Sequence, residues 1–418
     1  MNQDEKLQAL NRLLLHCKNS PFYRDRIPEG PLASLEELKG LPFTTKEDLR
    51  KNSPYGFICV PRKELYQYHE SFGTTGDPVS VWLTREDFVD LAHSVNSGGI
   101  NFTEDDVVLV RFPYAISSVA HFVHAAAQMK GACVIPASSR TVVSPFTRIV
   151  NLLKKLDVTV LASLPLQAVL IAETAEMMGY RPDRDFPGLR AIYTAGEALT
   201  PHRRKALEDI WGVPVSDNYG MTEIGAAAVN CEYGIHHPLE DKFIFELLDE
   251  ELKSEVKPGE TGYLVVTTLT RRGTPLIRYF TGDRARLVMK DCPCGRKVSM
   301  EIRGRKQDIL KIGDRDFDLW DVGDLVSALP CRRFWAAGPA PGGLRIVVEQ
   351  ERPGDAVSPE LVKRLEAEYN VRLDIEVVPK GTLYDRSELL SVGLVGKPRY
   401  IYTQREMEGK DYLKSQKL

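Results

Sequence analysis

The chain has 418 residues, 43% of them hydrophobic and 27% charged, enough for two or three domains with a substantial core. A formal net charge of −3 leaves no electrostatic footprint for nucleic acid or an anionic membrane, so neither is expected as a partner. Seven cysteines, an odd number thinly spread, argue for reduced thiols; no run approaches the roughly 18 apolar residues of a membrane span, and Met1 to Lys6 open no basic-then-apolar leader, so a cytoplasmic enzyme is expected.

Residues 5–20 place Leu7, Leu10, Leu13, Leu14 and Cys17 at the spacing of an amphipathic helix that ends before Ser20-Pro21. Ser34 with Glu37 fits a capping box over a second short helix, and Leu41 to Arg50 holds another capped start. Then comes Ser71-Phe72-Gly73-Thr74-Thr75-Gly76-Asp77-Pro78, where two glycines flank two threonines. Backbone amides and hydroxyls there can converge on an anion, although a plain turn has the same composition. No Gly-Lys-Ser/Thr closes it and Gly-x-Gly-x-x-Gly is absent, so it is neither a Walker A loop nor a dinucleotide fingerprint.

A helix is expected over 84–95. After it the pattern alternates: strands at 107–110, 132–135, 158–162 and 189–194, with helices at 118–129, 145–156 and 166–178 between them. That order predicts a mostly parallel sheet flanked by helices, with ligands at the carboxyl ends of its strands. From about 240 the pattern turns to strands at 243–248, 262–268 and 285–288, a small β subdomain over 240–300. Gly304 to Asp316 has the charge and glycine of a hinge. A small α+β lobe follows, with strands at 344–349 and 373–378 and a helix over 358–369, and the tail from Thr403 is expected to be frayed.

Four segments fall where strands should end: the 71–78 loop, Ala195-Gly196-Glu197, Tyr219-Gly220-Met221-Thr222-Glu223 and Thr281-Gly282-Asp283. Three of them pair a glycine with a carboxylate, as a nucleotide bound through ribose hydroxyls and a metal requires. Cys231, His236, Cys292 and Cys294 are a second constellation, with two thiolates on one Cys-Pro-Cys-Gly turn. Soft donors at that count suit a closed, structural Zn²⁺, with His237 as an alternative ligand. Cys17, Cys59, Cys133 and Cys331 are read as small core residues.

In order, Ser-Phe-Gly-Thr-Thr-Gly, Ala-Gly-Glu, Tyr-Gly-Met-Thr-Glu and Thr-Gly-Asp resemble the adenylate-forming ligases. Pro21-Phe22-Tyr23, Leu41-Pro42-Phe43-Thr44-Thr45-Lys46 and Pro275-Leu276-Ile277-Arg278-Tyr279 resemble the phenylacetate-CoA ligase-like branch. The resemblance covers essentially the whole chain. It implies an α/β fold with a large adenylation domain at 1–303, a hinge at 304–316 and a small mobile lid at 317–418. It implies that ATP and Mg²⁺ activate a small carboxylic acid as acyl-AMP, which then passes to a thiol of CoA or of the phosphopantetheine on a carrier protein.

By the same resemblance, Ser71, Gly73, Thr74, Thr75 and Gly76 would hold the leaving phosphates. Gly196, Glu197, Asn218, Tyr219, Gly220, Thr222 and Asp283 would hold the rest of the nucleotide, with Tyr219 on adenine and Asp283 on the ribose. Glu223 would ligate Mg²⁺, and Lys397, Glu223 and Arg305 would be catalytic, with Lys380 an alternative to Lys397. The chain departs from the family pattern at Gln307 in the hinge and at Asp77 in the loop. Tyr114, Ser118, His121 and Tyr193 are expected at the acid, and their polarity points to an aryl acid such as a hydroxybenzoate. A non-aryl acid, or a nucleotide-binding scaffold without catalysis, are the alternatives.

Overall fold

The β-then-α order expected over residues 107–195 is what the chain forms, in a computed structural model that describes residues 1–71, 77–390 and 399–413. Helix α1 (Gln3–Cys17) leads through a 3-10 turn (Leu35–Gly40) to α2 (Lys46–Lys51). The strands β1 (Leu65–Glu70) and β2 (Ser80–Thr84) precede α3 (Arg85–Asn96), β3 (Val107–Val110), α4 (Val119–Met129) and β4 (Cys133–Pro136). Next are α5 (Phe146–Lys155), β5 (Val160–Ser163), α6 (Pro165–Met177), β6 (Ala191–Ala195) and α7 (Pro201–Trp211). Strands then dominate: β7 (Val215–Met221), β8 (Gly225–Asn230), β9 (His236–Pro238), β10 (Phe243–Leu248), β11 (Thr261–Thr268), β12 (Tyr279–Met289), β13 (Val298–Arg305), β14 (Leu310–Ile312) and β15 (Arg315–Phe317). Helix α8 (Leu319–Ser327), β16 (Trp335–Ala340), β17 (Gly343–Glu349), α9 (Pro359–Tyr369), β18 (Arg372–Val378) and α10 (Gln404–Glu408) follow.

The chain divides into two compact units. The first comprises Met1–Pro136, Thr194–Gly196 and Ser216–Ile302. Its β3 and β4 pair in parallel, Val107 opposite Cys133, with α4 as the crossover between them. Strands β7, β8 and β9 are antiparallel neighbours, as are β10, β11 and β12. One core joins Leu10, Leu13 and Leu14 of α1 to Leu264, Val266, Ile277 and Tyr279, so the amphipathic stripe of α1 covers the apolar face of the antiparallel strands. A buried ion pair underlies β12: Arg278, in a left-handed backbone conformation (φ 46°), meets Glu246 at 2.8 Å.

The second unit comprises Ala137–Tyr193, Glu197–Val215 and Arg303–Leu418. Strand β17 pairs antiparallel with β16 and parallel with β18 over a core of Leu325, Trp335, Ile346, Val348 and Leu365. Residues Pro165 to Ala175 of α6 are buried all round, including Glu173. That carboxylate receives Arg333 Nη1 at 2.8 Å, Lys380 Nζ at 3.1 Å and Arg386 Nε at 3.3 Å, as a buried charge requires.

Four local expectations are corrected. Ser34 makes no side-chain cap, because Glu37 takes the amide of Ala33 instead and the segment winds as 3-10. Thr281-Gly282-Asp283 lies inside β12 rather than at a strand end. Cys133 is exposed on β4. The tail is not frayed through 413, since Thr403 caps α10 and Met407 and Tyr412 are buried.

Candidate active site

The β1–β2 hairpin fixes both ends of the expected phosphate loop. Glu70 pairs with Ser80, the Ser71 amide donates to Val79 O at 3.2 Å, and Ser71 Oγ accepts from the Val79 amide at 3.1 Å. Arg50 Nε donates to Asp77 O at 2.9 Å. Gly73, Thr74, Thr75 and Gly76 lie outside the described residues, and so does Lys397.

Strand β12 organises the remaining nucleotide residues of the first unit. Its Asp283, 6% exposed, accepts a 2.7 Å hydrogen bond from the Tyr219 hydroxyl, which fixes the carboxylate beside the Tyr219 ring. Asp283 is further held by its amide, which donates to Thr281 Oγ1 at 3.0 Å. Four residues earlier, the Tyr279 hydroxyl donates to Glu223 Oε1 at 3.3 Å. Glu223 sits in the turn between β7 and β8, and the turn needs its glycines. A Cβ on Gly220 would stand 2.2 Å from Gly225 O, and Gly225 itself has φ +76°.

Lys46 of α2 brings its ammonium to 3.4 Å from Glu223 Oε1. Thr222 lies in the same turn, and Gly196 follows β6 with φ 82°. Asn218 is buried, with neither side-chain polar atom hydrogen-bonded to a described residue. A buried carboxylate with one hydroxyl donor suits a hard cation, which takes one or two protein carboxylates and fills its shell with substrate phosphates and water.

The soft-donor constellation also lies in the first unit, with one change of member. Cys231, Cys292, Cys294 and His237, not His236, bring their ligand atoms within 4.8 Å of one another. Cys231 Sγ is 3.7 Å from Cys292 Sγ, and Cys294 Sγ is 3.4 Å from His237 Nε2. Tetrahedral bonds of ~2.3 Å to sulfur would separate two sulfurs by about 3.8 Å, so the donor set fits zinc. His237 Nδ1 donates to Val298 O at 2.6 Å, which leaves Nε2 facing the thiols. Successive residues of a strand point to opposite faces, and His236 accordingly donates to Asp217 Oδ2 at 3.0 Å.

Around the expected acid pocket, Tyr114 and His121 come together with two residues the sequence had not marked. The Tyr114 hydroxyl lies 3.0 Å from His124 Nδ1, and His121 Nε2 donates to Tyr114 O at 2.9 Å. His69 Nδ1 donates to Ile116 O at 3.0 Å, with its ring 5.3 Å from that of His121. Burial pushes His69 down to about 4 and His124 below its usual value, so both rings are neutral at pH 7. Ser118 is buried at the start of α4 without capping it.

The other candidates belong to the second unit. Tyr193 is buried in β6, Glu197 meets Arg203 at 3.0 Å, and Arg305 ends β13. Lys380, the alternative catalytic lysine, is tied to Glu173.

The profile of the AMP-binding enzyme family matches residues 71–270. The phenylacetate-coenzyme A ligase of Thermus thermophilus is 32% identical over 74% of this chain and 72% of its own. That of Pseudomonas putida is 31% identical over the same shares. Among solved structures, 2-hydroxyisobutyryl-CoA ligase in complex with 2-HIB-AMP superposes with a TM-score of 0.85 over 99% of this chain and 92% of that one, at 22% identity, a likeness of fold.

Proposed function

This chain belongs to the AMP-binding enzymes, in the phenylacetate-CoA ligase branch, and is an ATP-dependent, AMP-forming acid–CoA ligase; from that premise we propose that its acid is a hydroxylated aryl acid. The observation that carries the proposal is the hydrogen bond between the Tyr114 hydroxyl and His124, with the buried, neutral His69 and the ring of His121 close by. A site that hydrogen-bonds a substrate hydroxyl rejects the analogue lacking it, because its own polar groups are then left without partners.

In the proposed mechanism the acid's carboxylate oxygen bonds to the α-phosphorus. The bond from that phosphorus to the bridging oxygen breaks, and pyrophosphate leaves with the electron pair. Asp283 would accept the ribose hydroxyls while Tyr219 packs on adenine. Glu223 would hold Mg²⁺, which neutralises charge building on the phosphates. Ser71 to Gly76 would hold the leaving group, with Asn218, Gly196 and Glu197 beside the base. Lys397, carried by a lid at 317–418 that pivots at 304–316 near Arg305, would stabilise charge at the attacking and bridging oxygens. The CoA sulfur then bonds to the acyl carbon, the bond from that carbon to the phosphate oxygen breaks, AMP leaves with the electron pair, and the thiol proton passes to solvent. Cys231, His237, Cys292 and Cys294 would hold a structural Zn²⁺ with no open position for chemistry.

Acid-dependent exchange of pyrophosphate into ATP tests the substrate. We expect 4-hydroxybenzoate or a related hydroxyaryl acid to exchange at least about tenfold faster than benzoate and phenylacetate, the discrimination of one buried hydrogen bond. Preference for phenylacetate, the acid in the relatives' names, would overturn the hydroxyl and keep the aryl ring. A separate acyl-transfer assay with the accepted acid, CoA against a carrier protein, then tests the acceptor.

A further inference from the structure

Helix α2 carries two cations one turn apart, Lys46 and Arg50, on one face. Each reaches a different part of the nucleotide machinery: Lys46 the Glu223 carboxylate, Arg50 the main chain at Asp77. The helix is placed by the strand that shapes the site. The Thr44 amide donates to Arg278 O at 3.0 Å, the Phe280 amide donates to Thr44 O at 2.9 Å, and Thr44 Oγ1 donates to Ile277 O at 2.7 Å. Thr45 and Asp48 then form a capping box that starts the helix with Lys46 as its first residue. Lys46 is thus positioned by β12, which also sends Tyr279 to Glu223 and Asp283 to Tyr219.

The Lys46 side chain is 35% exposed and that of Glu223 4%, so the ammonium stands at the solvent edge of a buried carboxylate. A carboxylate at that depth requires a counter-charge, and a flexible lysine supplies one it can withdraw. A divalent cation on the same carboxylate would repel the ammonium, whose nearest new acceptors would be the phosphate oxygens that the cation itself binds.

We infer that Lys46 is the resident counter-ion of Glu223 and that it exchanges places with the incoming divalent cation, moving its ammonium onto the phosphates. The inference rests on the reading of Glu223 as the metal carboxylate. The role of Lys46 is to donate hydrogen bonds to the charge that pyrophosphate carries away.

The test uses Mn²⁺ followed by electron paramagnetic resonance on the full chain, alone and with ATP. The variants are Lys46→Met, Lys46→Arg and, as a control on the same helix, Lys51→Met. Removing the competing ammonium is expected to tighten Mn²⁺ binding in the absence of ATP about tenfold in Lys46→Met, with Lys46→Arg and Lys51→Met near wild type. Exchange of pyrophosphate at saturating metal is expected to fall about a hundredfold in Lys46→Met, the cost of one donor aimed at developing charge. Unchanged or weaker Mn²⁺ binding in Lys46→Met, or exchange within twofold of wild type, overturns the inference. Absence of exchange in the wild type with every acid overturns the functional reading instead, and the Mn²⁺ titration still decides the exchange of cations.

Discussion

His69 shows how a single side chain ties stability to the loop proposed to line the acid pocket. Its ring is buried between Gln67, Ile116 O, His121 and Phe122, with Arg271 adding positive charge nearby. Burial first, and His121 and Arg271 after it, hold the imidazole at about 4 against an ordinary 6.5. Between those values the unfolded chain binds a proton that the folded chain refuses. The stability this ring contributes is therefore complete above about pH 6.5 and is lost as pH falls toward about 4, by at most about 3 kcal/mol. Thermal melts at about pH 7 and about pH 4.5 should show a larger drop for wild type than for His69→Gln; equal drops would remove His69 from the account. Nothing local to His69 marks it in the sequence, because its partners Ile116 and His121 lie some fifty residues on. His237 was visible only as one of two neighbouring histidines. The thiols alone could not choose between them, and the pleat of β9 does.

Among elements, β12 does the most positioning. A motif expected at a strand end, Thr281 to Asp283, lies inside it, and the same strand fixes α2 through Thr44 and Glu223 through Tyr279. Helices α1, α3, α4, α5 and α6 fall close to their expected spans, because caps and apolar periods are local signals. Lys46 was legible as helical but not as a partner of Glu223, since nothing local to either residue records their meeting. The Cys292-Pro-Cys-Gly turn is the other element whose chemistry follows from its shape. We expect one zinc per chain by metal analysis of purified protein. In Cys292→Ser, or after chelation, zinc should be lost and the melting midpoint should fall by several degrees, a few kcal/mol for a closed site. A Cys292→Ser variant that keeps its metal and its melting point would refute a structural zinc.

At the scale of the molecule, the α/β class and the family were readable from ordered motifs, and the grouping of segments into units was not. Residues 303–418 cluster with 137–193 and 197–215, and the Glu173 network shows why. Burial alone would raise that carboxyl, but Arg386, Arg333 and Lys380 outweigh it and hold it below the usual range. Its contribution is present above about pH 4.5 and fades as acid protonates the group. Glu173→Gln leaves three cations short of their partner and should cost about 3–5 kcal/mol in urea unfolding of the second unit. A loss below about 1 kcal/mol, the worth of a surface pair, would show that the cations find other carboxylates. The proposed acid pocket in the first unit is held differently. His69 and His121 grip the 114–118 loop through the main-chain oxygens of Ile116 and Tyr114, which every residue type possesses. The loop's path therefore depends little on the side chains it displays, save at Ile116, whose backbone is left-handed (φ 60°). On the proposed reading, substitution at its exposed position Ala115 would retune the acid chosen while the scaffold is inherited intact, which makes this loop the natural place to begin redesigning the enzyme for a new acid.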